Sequence, residues 1–177
     1  MKKSPTATLT APAATTTDPR PMARQRHYWL FKSEPAEFGI ADLAGAPGGT
    51  ARWDGIRNYQ ARNHLRDGVA PGDGVLIYHS SCKVPGVAGT AEVVSAPYPD
   101  PAQFDPESPY FDPKSPADDP RWFCVDIRHR QTFADVIPAG RLKAMAELAD
   151  MVLFRQGRLS VQPVSQREWE AILALAG

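Results

Sequence analysis

Aromatic and polar side chains that could bind a nucleobase are concentrated in residues 52–66. Trp53 follows a glycine-rich stretch and precedes Asp54-Gly55, where a tryptophan is badly placed for an ordinary core. Its indole could serve as a stacking platform, and base–aromatic stacking contributes about 1–3 kcal/mol per base. Burial of Trp53 under a loop is the alternative.

The same stretch is rich in arginine, and Asp54 is its only acid. The arginines could hold a few phosphates beside a stacked base, or they could form a solvated helix face. They are Arg52, Arg57, Arg62 and Arg66. Asn58 and Gln60 carry both donors and acceptors, as reading a base edge requires, although either could be a helix cap or a surface residue.

The rest of the chain contains no convincing motif for catalysis or metal binding. Ser80-Ser81-Cys82-Lys83 matches SxxK, but that chemistry needs a helix, and here the motif follows a predicted strand. The histidines lack metal-ligand spacing, and no phosphate-binding glycine pattern is present. We therefore expect no cofactor, no metal and no catalysis. An enzyme that uses Glu34 or His79 as a proton carrier stays open as an alternative.

The distribution of charge limits the kind of nucleic-acid contact. Residues 1–26 carry a net charge of +4 and residues 27–177 a net charge of −4, so the 177-residue chain is neutral. A domain that grips duplex DNA through many phosphates is usually basic. We expect any nucleic-acid contact of this chain to be small and local.

The length suits one domain of ordinary size. Residues 1–26 are rich in Thr, Ala and Pro and lack the apolar region of a secretory signal, which predicts a disordered leader before a domain at 27–177. No apolar stretch approaches the ~20 residues of a membrane span. Cys82 and Cys124 are expected to be free, buried thiols. We expect a monomer without membrane partners, located in the cytoplasm, or with the nucleoid in a bacterium.

Hydrophobic periodicity and turn residues predict a mixed α+β fold. Asn58 is expected to cap a helix that reaches Arg66, and Ser165 with Glu168 to form a capping box for the last helix. Further helices are predicted at 40–43 and 142–148. The predicted strands cover residues 27–33, 75–80, 86–94, 121–133 and 159–164, with 75–80 and 86–94 paired as a hairpin and 97–120 irregular.

Several segments, in order, resemble the EVE domain of the PUA-like superfamily, in particular its thymocyte-nuclear-protein-like branch. They are 28–35 (YWLFKSEP), 53–63 (WDGIRNYQARN), 78–81 (YHSS), 86–93 (GVAGTAEV), 110–114 (YFDPK) and 158–164 (RLSVQPV). Each segment alone is weak, but the set is specific and extends over most of the chain after Tyr28. The leader lies outside the resemblance.

The resemblance implies a PUA-like mixed β-barrel of about five or six strands with flanking short helices, related in fold to YTH domains. It also implies a binder of a modified base, with modified cytosine in DNA (5-methylcytosine or 5-hydroxymethylcytosine) first and a modified RNA base next. Carried onto this chain, the implied pocket consists of Lys32, Ser33, Trp53, Arg57, Asn58, His79, Ser80, Ser160, Val161 and Gln162.

In this hypothesis the pocket residues have distinct roles. Trp53 stacks on an everted base, Ser33 and Asn58 read its polar edge, and Lys32 and Arg57 steer phosphate. Everting one base costs a few kcal/mol, less when the base is unpaired. A methyl group in an apolar niche adds roughly 1 kcal/mol.

A protein-interaction module with a vestigial pocket is the remaining alternative, and it predicts that Trp53→Ala leaves nucleic-acid binding unchanged.

Overall fold

The computed structural model describes residues 23–177, so most of the predicted leader, residues 1–22, lies outside the described range. The strands are β1 (Tyr28–Ser33), β2 (Thr50–Trp53), β3 (Gly74–His79), β4 (Gly86–Val93), β5 (Tyr98–Pro99), β6 (Phe123–Pro138) and β7 (Val161–Val164). The α-helices are α1 (Ile40–Gly45), α2 (Tyr59–Asn63), α3 (Ala139–Lys143), α4 (Val152–Arg155) and α5 (Gln166–Ala176). None of the helices between residues 23 and 177 has the length and apolar character needed to cross a lipid bilayer.

The strands form one mixed sheet in the order β2-β6-β4-β3-β1-β7, and the two-residue β5 pairs with β6. All pairs are antiparallel except β1 with β3, which run parallel with Tyr28 beside Gly74 and Ser33 beside His79. The predicted hairpin of β3 and β4 is confirmed. The hydrogen-bonded order ends at β2 and β7, yet Trp53 of β2 and Val161 of β7 belong to one core cluster. The two edge strands, β2 and β7, are therefore not hydrogen-bonded to each other, but the sheet curves so that both pack against the same core.

Both faces of the central strands are buried, which explains why β1 and β3 are almost continuously apolar. Phe31 and Ile77 point into the first core, whereas Leu30 and Leu76 point into the second, since consecutive side chains of a strand alternate between the faces of a sheet. The second core is covered by α5, whose Trp169 and Ile172 are buried. Burial on two faces fixes the register and therefore the position of the strand ends.

The capped starts of α2 and α5 agree with the sequence, whereas the end of β6 and the start of α3 do not. Asn58 Oδ1 accepts a hydrogen bond from Ala61 N at 3.0 Å and caps α2, and Ser165 with Glu168 forms the predicted capping box of α5. A π-helical turn, His64–Gly68, continues α2 to the predicted end. β6 extends beyond the predicted residue 133 to Pro138, because Ile137 pairs with Val87 of β4. The helix predicted at 142–148 is accordingly shifted to α3, directly after Pro138.

Candidate functional site

A cavity of about 580 Å³ lies at the ends of β1 and β3. These strands are parallel, and Ser33 pairs with His79, so the residues that follow, Glu34 and Ser80, emerge side by side. Ser80 N donates to Ser33 O at 2.8 Å and holds the two ends together. The end of β2 and the loop before β7 complete the wall. We call this space the strand-end cavity.

Five of the residues predicted from the sequence line the strand-end cavity: Lys32, Ser33, Trp53, Ser80 and Ser160. They come from four segments that are far apart in the chain, and Lys32 N donates to Ser160 O at 2.9 Å, which brings the β7 side to β1. Within residues 23–177, the buried Ser33 Oγ has no hydrogen-bond partner. Leaving a buried hydroxyl without a hydrogen bond costs about 1–3 kcal/mol, so an unpaired hydroxyl in the wall of a cavity is uncommon.

Trp53 forms the floor of the strand-end cavity and is 6% exposed. Its ring packs against Phe31, with centroids 5.6 Å apart, and meets Phe38 edge-on at 6.3 Å. The indole therefore belongs to the first core as well as to the cavity. It presents only a small part of its surface to a ligand.

Lys32 contributes a cation to the wall of the strand-end cavity. Its Nζ donates to Gly157 O at 2.6 Å and lies 5.4 Å from the centre of the Tyr78 ring. Burial lowers the pKa of Lys32, because the charged ammonium is partly removed from water. One of its three N–H groups is used in this bond, and the others can reach a ligand.

Arg57 does not line the strand-end cavity, although it supports one of its walls. Its Nη1 donates to Asp100 Oδ2 at 2.8 Å and to Ile56 O at 3.0 Å, and its Nε and Nη2 donate to Tyr110 O. The guanidinium also lies 5.4 Å from the centre of the Tyr110 ring. Each of its nitrogens is thus bonded to the protein, which leaves little capacity for phosphate.

Asn58 and His79 also lie outside the lining of the strand-end cavity, because both hold helix starts. Asn58 uses Oδ1 to cap α2. His79 Nε2 accepts a hydrogen bond from Ile40 N at 3.0 Å at the start of α1. The accepting nitrogen must be unprotonated, and burial lowers the pKa of His79, more than the carboxylate of Asp42 raises it.

Val161 and Gln162 lie behind the strand-end cavity. Val161 is fully buried in the first core. Gln162 is 1% exposed, and its Nε2 donates to Leu159 O at 2.8 Å and Gln156 O at 3.2 Å. It shapes the loop between α4 and β7, and its Oε1 has no partner among the described residues.

Sequence reasoning missed much of the strand-end cavity, and Tyr110 is the clearest example. This residue begins the EVE-like segment 110–114 inside the stretch 97–120 predicted as irregular, but it was not among the predicted pocket residues, and nothing local indicates that its ring reaches the end of β2. Gly55, at φ +75°, admits the ring, because a Cβ there would lie 2.7 Å from Tyr110 Cζ. Two more lining residues, Arg52 and Glu34, were named from the sequence only as a possible phosphate contact and as a proton carrier of the enzyme alternative. The lining residues not predicted at all are Glu37, Phe38, Asp54, Gly55, Ile56, Ser81, Gly157 and Arg158.

Acidic residues gather on the side of Tyr110. Burial raises the pKa of Tyr110, and the nearby charges of Glu37, Asp54 and Glu34 raise it further. Burial also raises the pKa of Asp54, an effect that the charge of Asp100 increases. The strand-end cavity is therefore lined by three carboxylates, Glu34, Glu37 and Asp54, whose charges act on Tyr110, and by three cations, Arg52, Lys32 and Arg158.

Two further features concern chemistry at this site. Ser81, in the cavity wall, has φ +51°, a left-handed conformation that is uncommon for a residue other than glycine and is often found at functional sites. Within residues 23–177, no group of three or more His, Cys, Asp or Glu side chains is placed to hold a metal ion.

The sequence profile of the EVE domain family matches residues 27–175. The chain belongs to the EVE domain family. Human thymocyte nuclear protein 1 is 38% identical over 165 residues, which cover 84% of this chain and 73% of that protein. The PUA-like α+β fold predicted from the resemblance is thereby confirmed.

Solved structures of EVE domain relatives superimpose on most of the chain. A protein from Pseudomonas putida is 50% identical with a TM-score of 0.80, covering 85% of this chain and 99% of that one. Human THYN1 protein in complex with 5-methylcytosine-containing DNA is 40% identical with a TM-score of 0.81, covering 85% of this chain and 97% of that one.

Proposed function

We propose that this EVE domain protein binds one modified base of a nucleic acid in the strand-end cavity and performs no chemistry on it. 5-Methylcytosine in DNA is the first candidate and a modified RNA base the second. The observation that carries the proposal is the cavity, whose volume of about 580 Å³ lies in the usual range of small-molecule pockets and whose wall combines aromatic rings with the unpaired hydroxyl of Ser33. The complex of the human relative with 5-methylcytosine-containing DNA supports this choice of ligand.

In the proposed complex the base lies between the floor and the rim of the strand-end cavity. Trp53 supplies the floor, and Tyr110, which is 38% exposed, supplies a second ring at the rim. Stacking on aromatic side chains contributes about 1–3 kcal/mol per base and helps to offset the cost of eversion. Because Trp53 is mostly covered, Tyr110 provides more of the stacking surface than the sequence suggested.

The polar groups of the wall would read the edge of the base. Ser33 Oγ, which no described residue pairs, can bond to a polar atom of the ligand. The carboxylate of Asp54 can accept from the exocyclic amine of cytosine, the contact that carboxylates make with this base. Lys32 can donate to a base oxygen or to phosphate. Arg57 is assigned the support of Tyr110 instead of a phosphate contact.

The two alternatives from the sequence are less well supported. An enzyme with His79 as proton carrier would need that ring in the strand-end cavity, but its Nε2 is bonded to Ile40 N and the residue does not line the wall. Glu34 does line it, so turnover of a candidate base is a direct test of catalysis. A vestigial pocket predicts that substitutions at Ser33 and Trp53 leave oligonucleotide binding unchanged, which the variants below test.

The proposal extends to the setting in which the protein works. We propose a monomer in the cytoplasm, or with the nucleoid in a bacterium, that binds nucleic acid with modest affinity and a shallow salt dependence. The basis for the modest affinity and shallow salt dependence is the charge of the domain, since residues 27–177 carry a net charge of −4, whereas domains that grip duplex DNA through many phosphates are usually basic.

The test is fluorescence anisotropy with short labelled oligonucleotides. The panel contains cytosine, 5-methylcytosine, 5-hydroxymethylcytosine and N6-methyladenine, each in DNA and in RNA. Ser33→Ala removes only the unpaired hydroxyl, and Trp53→Phe reduces the floor while it retains an aromatic ring in the core. Trp169→Phe is the matched control, because Trp169 is similarly buried, at 8% exposed, but lies in the second core.

We expect the wild-type protein to prefer one modified base, with 5-methylcytosine in DNA tightest. The preference should fall in Ser33→Ala and Trp53→Phe and persist in Trp169→Phe. Equal and weak binding to all oligonucleotides, unchanged by either cavity variant, would refute the proposal and favour the interaction module. Conversion of a base by the purified protein would favour the enzyme.

A further inference from the structure

A second depression, of about 300 Å³, adjoins the strand-end cavity. Gly157 and Arg158 line both spaces, so the two are separated only by this short piece of backbone. Asn58 and Gln60 form the far wall of the second space. We call it the side groove. Its amide groups offer donors and acceptors of the kind that bind nucleotides.

The loop that carries Arg158 is fixed from several directions. Gln162 Nε2 binds the carbonyl oxygens of Gln156 and Leu159 from below, and Lys32 Nζ binds that of Gly157. Across the side groove, Gln60 Nε2 donates to Gln156 Oε1 at 2.9 Å. Arg158 itself is exposed, and none of the side-chain hydrogen bonds among residues 23–177 involves its guanidinium. A rigid loop thus presents a cation that the described protein does not use.

Charge decides the direction in which a nucleic-acid chain can leave the strand-end cavity. Near Tyr110 lie the carboxylates Glu34, Glu37 and Asp54, which would repel a phosphodiester. The two cations of this region, Arg52 and Arg57, already donate to Tyr98 Oη and to Asp100 and Tyr110 O. Arg158 and Lys32 also line the strand-end cavity, and Arg158 lies where the cavity adjoins the side groove. The backbone next to a bound base is therefore directed across Gly157 and Arg158.

We propose that Arg158 binds the phosphate that joins the cavity-bound nucleotide to its neighbour, and that this neighbour lies in the side groove. This inference rests on the proposed function, since it places the modified base in the strand-end cavity. A guanidinium suits the role because it can donate two parallel hydrogen bonds to phosphate oxygens. Asn58 and Gln60 contact the neighbouring nucleotide, which adds affinity without any preference for the modification.

The experiment measures the salt dependence of binding to a single strand of about five nucleotides, with 5-methylcytosine or cytosine at its centre. Arg158→Gln is compared with the wild type and with Arg155→Gln, a matched control at an exposed arginine of α4 that lines neither space. Anisotropy titrations between about 50 and 200 mM salt give the slope of log K against log salt.

We expect Arg158→Gln to weaken binding on the order of tenfold at low salt and to make the slope shallower by about 0.7, the value for one phosphate of a single strand. The ratio of affinities for modified and unmodified strands should stay at its wild-type value, and Arg155→Gln should match the wild type. Gln60→Glu, which places a negative charge in the side groove, should weaken both strands alike.

Two results would overturn the inference: a slope in Arg158→Gln equal to that of Arg155→Gln, or loss of the preference for the modified strand in Arg158→Gln. The first result would show that Arg158 does not contact phosphate, and the second would show that Arg158 takes part in recognising the modified base. Failure of the proposed function would look different, since the wild type would then show no preference between strands while its salt slope stayed measurable with either.

Discussion

Arg57 Nη1 donates a hydrogen bond to Asp100 Oδ2 at 2.8 Å, and this ion pair ties the end of β2 to the segment that carries Tyr110. Asp100 is fully buried and also accepts from Gly55 N and Ala102 N. Arg57 completes the link by donating to Tyr110 O. The wall of the strand-end cavity on this side is therefore held by a network of charge-assisted hydrogen bonds.

The first prediction concerns Arg57→Lys. Lysine retains the charge but cannot bond to Asp100 and Tyr110 O together, because it lacks the planar fork of the guanidinium. We expect oligonucleotide binding to weaken by roughly three- to tenfold, an effect of about 1 kcal/mol, with the salt slope unchanged. Anisotropy titrations over a range of salt provide the measurement. A slope shallower by about 0.7 would instead identify a phosphate contact.

The second prediction concerns Gly55→Ala. The residue has φ +75°, and the new Cβ would lie 2.7 Å from Tyr110 Cζ, so both the backbone and the ring must shift. We expect a loss of about 1–3 kcal/mol in the free energy of unfolding, together with weaker base binding. Urea denaturation measures the first effect and anisotropy the second.

The matched control is Gly140→Ala in α3, where an added Cβ would meet nothing within 4 Å. There the helix propensity of alanine should leave stability unchanged or raise it by up to about 1 kcal/mol. Equal stability of the two variants would show that Tyr110 does not need the space above Gly55.

The third prediction concerns Asp73, a fully buried carboxylate that accepts hydrogen bonds from the side chains of Arg24 and Trp29 and the backbone of His27 and Ala70. Burial alone would raise the pKa of Asp73, but these bonds together lower it. A carboxyl with a lowered folded pKa stabilises the fold above its unfolded value of 3.8. That contribution is lost as the pH falls through the folded pKa.

Asp73→Asn should therefore lower the free energy of unfolding at pH 7, by on the order of 2–4 kcal/mol. The difference from the wild type should shrink as the pH falls from 3.8 through the lower folded pKa, because the wild-type carboxylate becomes protonated over that range. Urea denaturation at several pH values tests both statements. Asp67→Asn, at an exposed surface pair, should stay close to the wild type, and a loss equal to that of Asp73→Asn would contradict the assignment.

The fourth prediction concerns the pH dependence of His79. Because burial lowers its folded pKa below the ordinary 6.5, the neutral ring contributes stability above that pH. The contribution declines as the pH falls from 6.5 through the folded pKa, where protonation breaks the bond from Ile40 N. An NMR titration should place the midpoint of His79 below 6.5, and a midpoint above 6.5 would contradict the geometry.

His79→Gln should remove the part of the acid-side decline that belongs to this ring, at a cost of about 1 kcal/mol near neutral pH. The dependence that remains is assigned to His64, whose pKa burial also lowers. Urea denaturation of the variant and the wild type at pH values on both sides of 6.5 separates the two histidines.

Local chemistry determined a large part of the fold before any contact was known. The apolar runs of β1 and β3 predicted strands because burial on both faces of a sheet demands them, and Asn58 and Ser165 marked helix starts because their oxygens can cap free N–H groups. The segments shared with the EVE domain placed Lys32, Ser33, Trp53, Ser80 and Ser160, all of which the structure brings to the wall of one cavity.

Tertiary structure alone decided which side chains face that cavity and which support it. Arg57, Asn58, His79 and Gln162 carry the same donors and acceptors as binding residues, but each is bonded within the protein: Arg57 and His79 to distant segments, and Asn58 and Gln162 to residues of their own segment. Tyr110 joins the site because Asp100 and Arg57 fold an irregular segment onto the end of β2. Partners from distant segments leave no periodic or spacing signal in the sequence, since their contacts exist only after the sheet has curved around its core.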